Sequence, residues 1–299
     1  MKNIIVKKSY KDLRSGLLFA LPAILGFFIF SLGPMIMSLV LSFTDYRIVN
    51  EPVFIGFENY INLFTTEGTL FYKAIFVTFY YVILSVPLGV MFHFFSAILM
   101  NRKIKGKALF RAIYYIPSVI PVAASCMIWL WIFNPERGLL NYLLEMLHLP
   151  TSQWIGSEQA VVPSIVMIAI WMAGNTMVVY LAGLQDIPKS LYESIEVDGG
   201  NALNKLIHIT IPMSTHLIFF NTIMGIIGGF QVFVQPMIMT DGGPGTSSLF
   251  YSLYVFREGF EHSRMGSASA MSWMLFLIIL VLAGLFVKLS RKWVYYASE

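Results

Sequence analysis

Apolar residues fall along this chain in long blocks parted by short polar stretches, without the strict alternation of half-buried strands or the narrow stripe of a soluble helix. Six blocks read as spans of a hydrocarbon core of roughly 30 Å at a helical rise of about 1.5 Å per residue, five of them 22 residues or longer and the last 16. They cover residues 16–43, 74–100, 112–133, 161–184, 217–240 and 272–287. The stretch 185–212 breaks the pattern. It holds Tyr192-Glu193-Ser194-Ile195-Glu196-Val197-Asp198-Gly199-Gly200, too acidic and too glycine-marked to cross a membrane, so it is expected to be a folded loop facing water. Pro188 and Pro212 at its ends interrupt the approaching helices and restrict the residues before them. The chain between holds two short helices with a sharp turn at Asp198-Gly199-Gly200, where glycine permits positive φ.

Composition agrees. A mean hydropathy of +0.72, with 57% hydrophobic and 12% charged residues, lies far from the roughly 25% charged of a soluble protein. The fold class is therefore all-α integral membrane, with six transmembrane helices. The first block follows mostly polar residues and exceeds the roughly 7–15 apolar residues of a signal-peptide core, so it is expected to be retained. Cys126, the one cysteine, allows neither an intrachain disulfide nor a cysteine metal cluster and reads as a buried apolar thiol.

Charge sets the orientation. Lys2, Lys7, Lys8, Lys11 and Arg14 precede the first block; Arg102, Lys103, Lys105, Lys107 and Arg111 separate the second and third. Lys189 and Lys205 lie in the 185–212 loop, and Lys288, Arg291 and Lys292 follow the last block. Only Arg47, Lys73, Arg137, Arg257 and Arg264 lie on the other side. By the positive-inside rule both termini and the Glu193 loop face the cytoplasm. The chain thus divides into a cytoplasmic segment 1–15, a six-helix domain 16–292 and a cytoplasmic tail 293–299. The net charge of +4 reflects this asymmetry and calls for no nucleic acid. External segments are expected at 44–73, 134–160 and 241–271. The last opens on the turn signal Asp241-Gly242-Gly243-Pro244-Gly245, followed by Leu249, Phe250, Leu253, Tyr254 and Phe256, an amphipathic stretch suited to the outer membrane surface.

All 20 basic and 16 acidic residues fall outside the six blocks. Proton-coupled carriers commonly hold ionisable groups within the membrane, which weighs against that class, although Na⁺ can be held by backbone carbonyls. No catalytic set assembles. The five histidines show no His-x-x-x-His spacing, and no Gly-x-Ser-x-Gly elbow or phosphate-cradling Gly-x-x-x-x-Gly-Lys loop occurs. His93, inside a span, is expected to be neutral and hydrogen-bonded.

In the loop, either Pro188 at the first helical position or a Ser190-x-x-Glu193 capping box starts a helix near Lys189. Glu193 and Glu196, three apart, share its face; on such grounds alone that face is simply solvated. Polar groups inside apolar spans mark a candidate path: Asn175 and Thr176 in the fourth, Asn221, Gln231 and Gln235 in the fifth. Gln231 and Gln235, four apart, are placed to face one path together and to offer their amides to a polar solute. Gly225 and Gly229 form a small-x-x-x-small pair, expected mainly to pack helices.

The run Glu193 to Gly200, followed by Leu206 and Ile209-Thr210-Ile211-Pro212, resembles the Glu-Ala-Ala loop of binding-protein-dependent ABC importer permeases. That family's pattern is Glu-Ala-Ala, two variable residues, Asp-Gly-Ala, then Ile-Thr-Leu-Pro. Gly56-Phe57-Glu58-Asn59-Tyr60, Phe110-Arg111-Ala112-Ile113-Tyr114-Tyr115-Ile116-Pro117, the stretch from Phe133-Asn134-Pro135 to Asn141-Tyr142, Leu181 to Pro188 and Thr240-Asp241-Gly242-Gly243-Pro244 are similar to the carbohydrate branch, on the side of the maltose and glycerol-phosphate first permeases. Here Ser194 and Ile195 replace the alanine pair, and Gly200 replaces the last alanine.

The resemblance implies a type I importer permease in a prokaryotic inner membrane, without enzymatic activity of its own. It implies partners: a second homologous permease, two ABC ATPase subunits and an extracytoplasmic solute-binding protein, with a sugar as substrate and membrane lipid around it. No cofactor is expected on this chain; ATP and Mg²⁺ belong to the ATPase. Tyr192, Glu193, Glu196, Asp198, Gly199 and Gly200 would form the coupling element, with Glu193 paired to a basic residue of the ATPase. Asn175, Gly225, Gly228, Gly229 and Val232 match sugar-lining positions. The rival reading is a cation-coupled secondary carrier; a purely structural membrane protein ranks below it.

Overall fold

The computed structural model describes residues 2–102 and 105–295. Lys103 of the expected basic cluster, the side chains of the N-terminal basic residues and the end of the 293–299 tail lie outside the described residues. The chain divides into two compact units. One takes the residues up to Thr65 with Val255–Met274; the other takes Thr66–Tyr254 with the residues from Leu275 on.

In the first unit, α1 (Lys2–Phe27) passes through a π-helical turn at Phe28–Leu32 into α2 (Gly33–Leu41). Ser15–Leu41 is thereby one apolar helix of 27 residues, long enough to cross a membrane. A short hairpin follows, β1 (Thr44–Asp45) against β2 (Val53–Phe54), then α3 (Glu58–Phe64). Buried Asn59 donates to the carbonyls of Ser42 and Thr44, both at 2.9 Å, which fastens α3 to the end of α2 without leaving those acceptors unsatisfied. Farther along the same unit Glu258 is buried, with His262 Nδ1 at 2.7 Å and Arg264 Nη1 at 3.3 Å.

The second unit is built on α4 (Gly68–Asn101), 34 residues long. Next come α5 (Lys107–Tyr115), α6 (Val122–Ile132), α7 (Leu139–Met146), α8 (Val161–Met172), α9 (Gly174–Asp186), α10 (Lys189–Val197), α11 (Ala202–Lys205), α12 (Ile211–Met213), α13 (Thr215–Phe230) and α14 (Val234–Met239). The helices α15 (Tyr251–Phe256) and α16 (Met265–Ser290) complete the chain. In the centre α4 packs against α8, α9 and α13.

Three helices pass for unbroken membrane spans: Ser15–Leu41, Gly68–Asn101 and Met265–Ser290. Three bent pairs are long and apolar enough only when each is taken as one span, which sets the count among the described residues between three and six, and the third of them begins inside the 185–212 stretch. Lys107–Val119 and Val122–Ile132 meet at 105°, Val161–Met172 and Gly174–Asp186 at 50°, Ala202–Met213 and Thr215–Phe230 at 61°. The first bend has two prolines, Pro117 and Pro121, as its cause. The second sits at Gly174, where a Cβ would lie 2.4 Å from the Tyr114 carbonyl oxygen, so only glycine lets α9 begin this close to α5. The third follows Pro212.

Helix boundaries differ from the sequence reading in the fifth span and at several block ends. The fifth span was expected over 217–240, but its helix ends at Phe230 and α14 restarts at Val234; the Gly228-Gly229 pair weakens that end and Pro236 occupies the first turn of the new helix, where proline is tolerated. Several helices also overrun the apolar blocks, so that Lys73, Asp186 and Lys288 lie near helical ends and Arg111 lies in the middle of α5.

The amphipathic stretch after Gly245 does not lie on a membrane surface. Leu249, Phe250, Tyr251, Leu253 and Tyr254 are all buried. The amide of Tyr251 donates to Thr78 Oγ1 at 2.9 Å, and the Phe250 ring meets Tyr81 edge-on at 5.1 Å between centroids. Its apolar face is spent on α4 rather than on lipid. Burial pushes the Tyr251 phenol above its usual range.

Candidate functional site

Two features of the second unit stand out, a polar hairpin and a cavity, joined by the same helices. The hairpin begins at Ile187-Pro188. Pro188 is the N-cap of α10 and no side chain caps that end, so the helix starts at Lys189 as expected, but neither with proline as its first residue nor through a Ser190 capping box. Gly199 takes φ +76° and turns the chain. Asn201 then caps α11, its Oδ1 accepting from the amides of Leu203 and Asn204 at 3.0 Å each. An Asn before Ala-Leu is a recognisable N-cap, and the sequence reading passed over it.

The faces of the hairpin divide cleanly. Tyr192 and Ile195 turn inward onto a core of Phe94 and Ala97 from α4, Met177, Tyr180, Leu181 and Leu184 from α9, and Ile209. The Tyr192 hydroxyl lies 3.1 Å from Thr210 Oγ1, linking α10 to the π-helical turn Leu206–Thr210 on the returning side of the hairpin. Outward, Glu193, Glu196, Asp198 and Gly199 are exposed, and Gly200 is half-buried. Glu196 pairs with Lys205, bridging α10 and α11. Glu193 has no ion-pair or hydrogen-bond partner for its carboxylate among the described residues. Thus the two carboxylates that share a face differ: one braces the hairpin and the other is free.

The unusual residues of the loop fit each other. A Cβ on Gly200 would fall 2.3 Å from Ile195 Cγ2 and 3.0 Å from the Ile195 carbonyl oxygen. Where the family pattern carries two alanines, this chain has a larger and a smaller residue in contact.

The cavity, about 220 Å³, lies between α4, α8, α9 and α13. Of the residues proposed from sequence for a path, it is lined by Thr176, Gly225, Gly228, Gly229 and Val232. Asn221 also reaches it. Asn175 does not: its side chain is exposed, with Oδ1 3.0 Å from the Thr176 amide. Gln231 and Gln235 line no part of it, and the break at 231–233 separates them, so the one-face geometry expected of a continuous helix is absent. The glycines do both kinds of work. Gly225 and Gly229 let α13 approach α4, since Cβ atoms there would meet Val86 at 3.3 Å and Val82 at 2.9 Å; a Cβ on Gly228 would meet nothing within 4 Å.

The opposite wall comes from α4 through Tyr81, Ser85 and His93. His93 is buried and its Nδ1 lies 2.7 Å from the Tyr114 hydroxyl, the hydrogen-bonded state expected for it. Tyr81 and Ser85 were missed, although the rule that found Asn221, a polar group in an apolar span, applies equally to them. They stand four apart on one helix face.

Comparison with known proteins decides the family. Residues 85–295 match the family described as "Binding-protein-dependent transport system inner membrane component". The chain belongs to that family. Among curated relatives of this permease, the probable ABC transporter permease YesP of Bacillus subtilis (strain 168) is 36% identical over 97% of this chain and 94% of its own length. The trehalose/maltose transport system permease MalF of Thermococcus litoralis is 28% identical, covering 97% of this chain and 98% of its own. A crystal structure of a bacterial alginate ABC transporter, in complex with an alginate pentasaccharide-bound periplasmic protein, contains a chain 26% identical that superposes with a TM-score of 0.82, covering 95% of this chain and 97% of that one. The chain is thus a membrane-embedded ABC transport permease, a transport subunit and not an enzyme.

Proposed function

We propose that this permease forms half of the translocation path of an ATP-driven importer for a sugar or oligosaccharide, in the inner membrane of a prokaryote with both termini and the hairpin in the cytoplasm. The observation that carries the coupling part of this reading is the hairpin itself, in which Asn201 caps α11 and Glu196 is tied to Lys205 while the Glu193 carboxylate has no partner among the described residues.

The mechanism follows from its mounting. The hairpin joins α9 directly through Ile187-Pro188 and α13 through α11 and α12, and both of those helices line the cavity. A push on α10 from a closing pair of ATPase subunits, where ATP and Mg²⁺ are held, is delivered to the cavity walls as a rigid-body displacement. Tyr192 and Ile195, packed on the core of α4 and α9, keep the hairpin from folding under that load. Glu193 would pair with a basic side chain of the ATPase.

A cavity of about 220 Å³ is smaller than the roughly 300–1,000 Å³ of most small-molecule sites. This supports a site completed by a second, homologous permease. Its walls carry a few neutral polar groups, Tyr81, Ser85, Thr176 and Asn221, which offer sugar hydroxyls hydrogen bonds of about 0.5–1.5 kcal/mol each. Contacts of that size suit passage rather than retention, so selection falls to an extracytoplasmic solute-binding protein. The sugar class is supported by the relatives named for trehalose/maltose and alginate transport.

The test is uptake into proteoliposomes holding this chain, its partner permease and two ATPase subunits, with the solute-binding protein supplied outside. Uptake should require ATP and be indifferent to the collapse of proton and sodium gradients. Uptake that follows an ion gradient with no ATPase present would establish the secondary-carrier reading instead.

A further inference from the structure

A second cavity, of about 250 Å³, lies behind the hairpin, lined by the ends of α4 and α9 and by the inner side of α10 and α11. Its walls are of two kinds. Ile98, Leu184 and Leu206 are apolar, while Asn101, Arg102 and Lys205 offer amide, guanidinium and ammonium donors. Tyr192 and Thr210 also reach it, but their hydroxyls bond to one another at 3.1 Å. The donors left for a ligand are therefore those of Arg102, Lys205 and Asn101.

The charges there do not cancel. Lys205 pairs with Glu196, which shares its charge, but Arg102 has no carboxylate partner among the described residues and is exposed at the C-terminal end of α4. That position is where the long apolar helix gives way to polar chain, the level at which lipid headgroups meet a spanning helix. Basic pockets between spanning helices at this level bind anionic headgroups, and a guanidinium presents paired donors to phosphate oxygens.

We propose that this cavity holds the phosphate of an anionic glycerophospholipid, with Arg102 and Lys205 as its ligands, Asn101 as a neutral donor, and Ile98, Leu184 and Leu206 against the glycerol and the first methylenes. Free phosphate shares the polar half of this chemistry. The apolar walls and the position at the end of a span favour the lipid. Because Lys205 and Tyr192 belong to the hairpin, bound lipid stiffens the element assigned above to ATPase docking. That consequence rests on the docking reading; the binding itself does not.

The experiment measures lipid retention by the full-length protein, purified in detergent, using native mass spectrometry with dioleoyl phosphatidylglycerol, dioleoyl phosphatidylcholine or inorganic phosphate added. The unaltered protein is expected to keep one phosphatidylglycerol in preference to phosphatidylcholine. Arg102→Gln and Lys205→Gln should each weaken retention about fivefold, Arg102→Lys should restore most of it, and Glu196→Gln, which frees Lys205, should strengthen it. Equal phosphatidylglycerol retention by Arg102→Gln and the unaltered protein would overturn the proposal. So would displacement of the lipid by millimolar inorganic phosphate, which would assign the site to a free anion. The comparison of Arg102→Lys with Arg102→Gln involves an exposed side chain, so it stands even if changes at Lys205 upset the hairpin. Loss of ATP-driven uptake with retention unchanged would count against the lipid site and leave the docking role intact.

Discussion

Ile195 and Gly200 are complementary in size: the space that a Cβ on Gly200 would need is filled by Cγ2 of Ile195, 2.3 Å from where that atom would stand. Restoring alanine at position 200 alone forces Ile195 off its packing on the Tyr180 and Leu184 core. Overpacking of this kind costs about 1–3 kcal/mol. Gly200→Ala should lower the thermal midpoint of the purified protein and weaken solute-stimulated ATP hydrolysis. Ile195→Ala with Gly200→Ala, which returns the family's pair of alanines, should recover much of both. A double variant as impaired as the sum of the singles would refute the fit.

Glu193 and Glu196 should behave differently despite sharing a face. Glu193→Lys leaves every described contact within the chain in place, so membrane insertion and thermal midpoint should hold while solute-stimulated ATP hydrolysis falls to the unstimulated level. Glu196→Gln removes the brace to Lys205, an exposed pair of the sort that contributes little to stability, and should reduce stimulation only in part. Normal stimulation in Glu193→Lys would remove Glu193 from the docking role.

The glycines of α13 separate packing from passage. Gly229→Ala must move Val82 and should destabilise the protein. Gly228→Ala has free space around it and gains helix propensity, up to about 1 kcal/mol, so the protein should be as stable or more so. Gly228→Leu should then narrow the cavity and slow uptake at least tenfold with stability kept. Thermal melts beside uptake rates check both, and rapid uptake by a well-folded Gly228→Leu would exclude this cavity from the route.

Asn221→Ala and Tyr81→Phe should each slow uptake several-fold without changing the sugar affinity of the solute-binding protein. Gln235→Ala, a residue off the cavity wall, should do less. Titrating the binding protein alone and then measuring uptake with it separates the two effects.

Much of this arrangement is legible in the sequence because water and lipid impose it. The acidic hairpin, its turn at Gly199 and the start of α10 at Lys189 follow from proline, glycine and charge, which act locally. The cavity-lining residues Thr176, Gly225, Gly228, Gly229 and Val232 emerge from the resemblance and from polarity within spans. What escapes is what depends on neighbours distant in sequence. Gln231 and Gln235 look like one helix face until the chain breaks between them. Leu249 to Phe256 has the pattern of a membrane-surface helix, and only the shape of α4 shows that protein takes the place of lipid. The bend at Ala173 interrupts an apolar run whose hydropathy is continuous, and hydropathy does not register direction. Tyr81 and Ser85 carry the same signal as Asn221 and gain meaning only when α13 is set opposite them.

The seat of Phe250 on Tyr81 has a consequence for traffic across the membrane. Tyr81 belongs to the wall of the cavity, while Phe250 belongs to the segment that follows the Gly242-Gly243-Pro244-Gly245 turn. The chamber is therefore tied to the hairpin through α9 and α13 and to this turn segment through Phe250. A shift in either attachment reaches the cavity wall through groups already in contact.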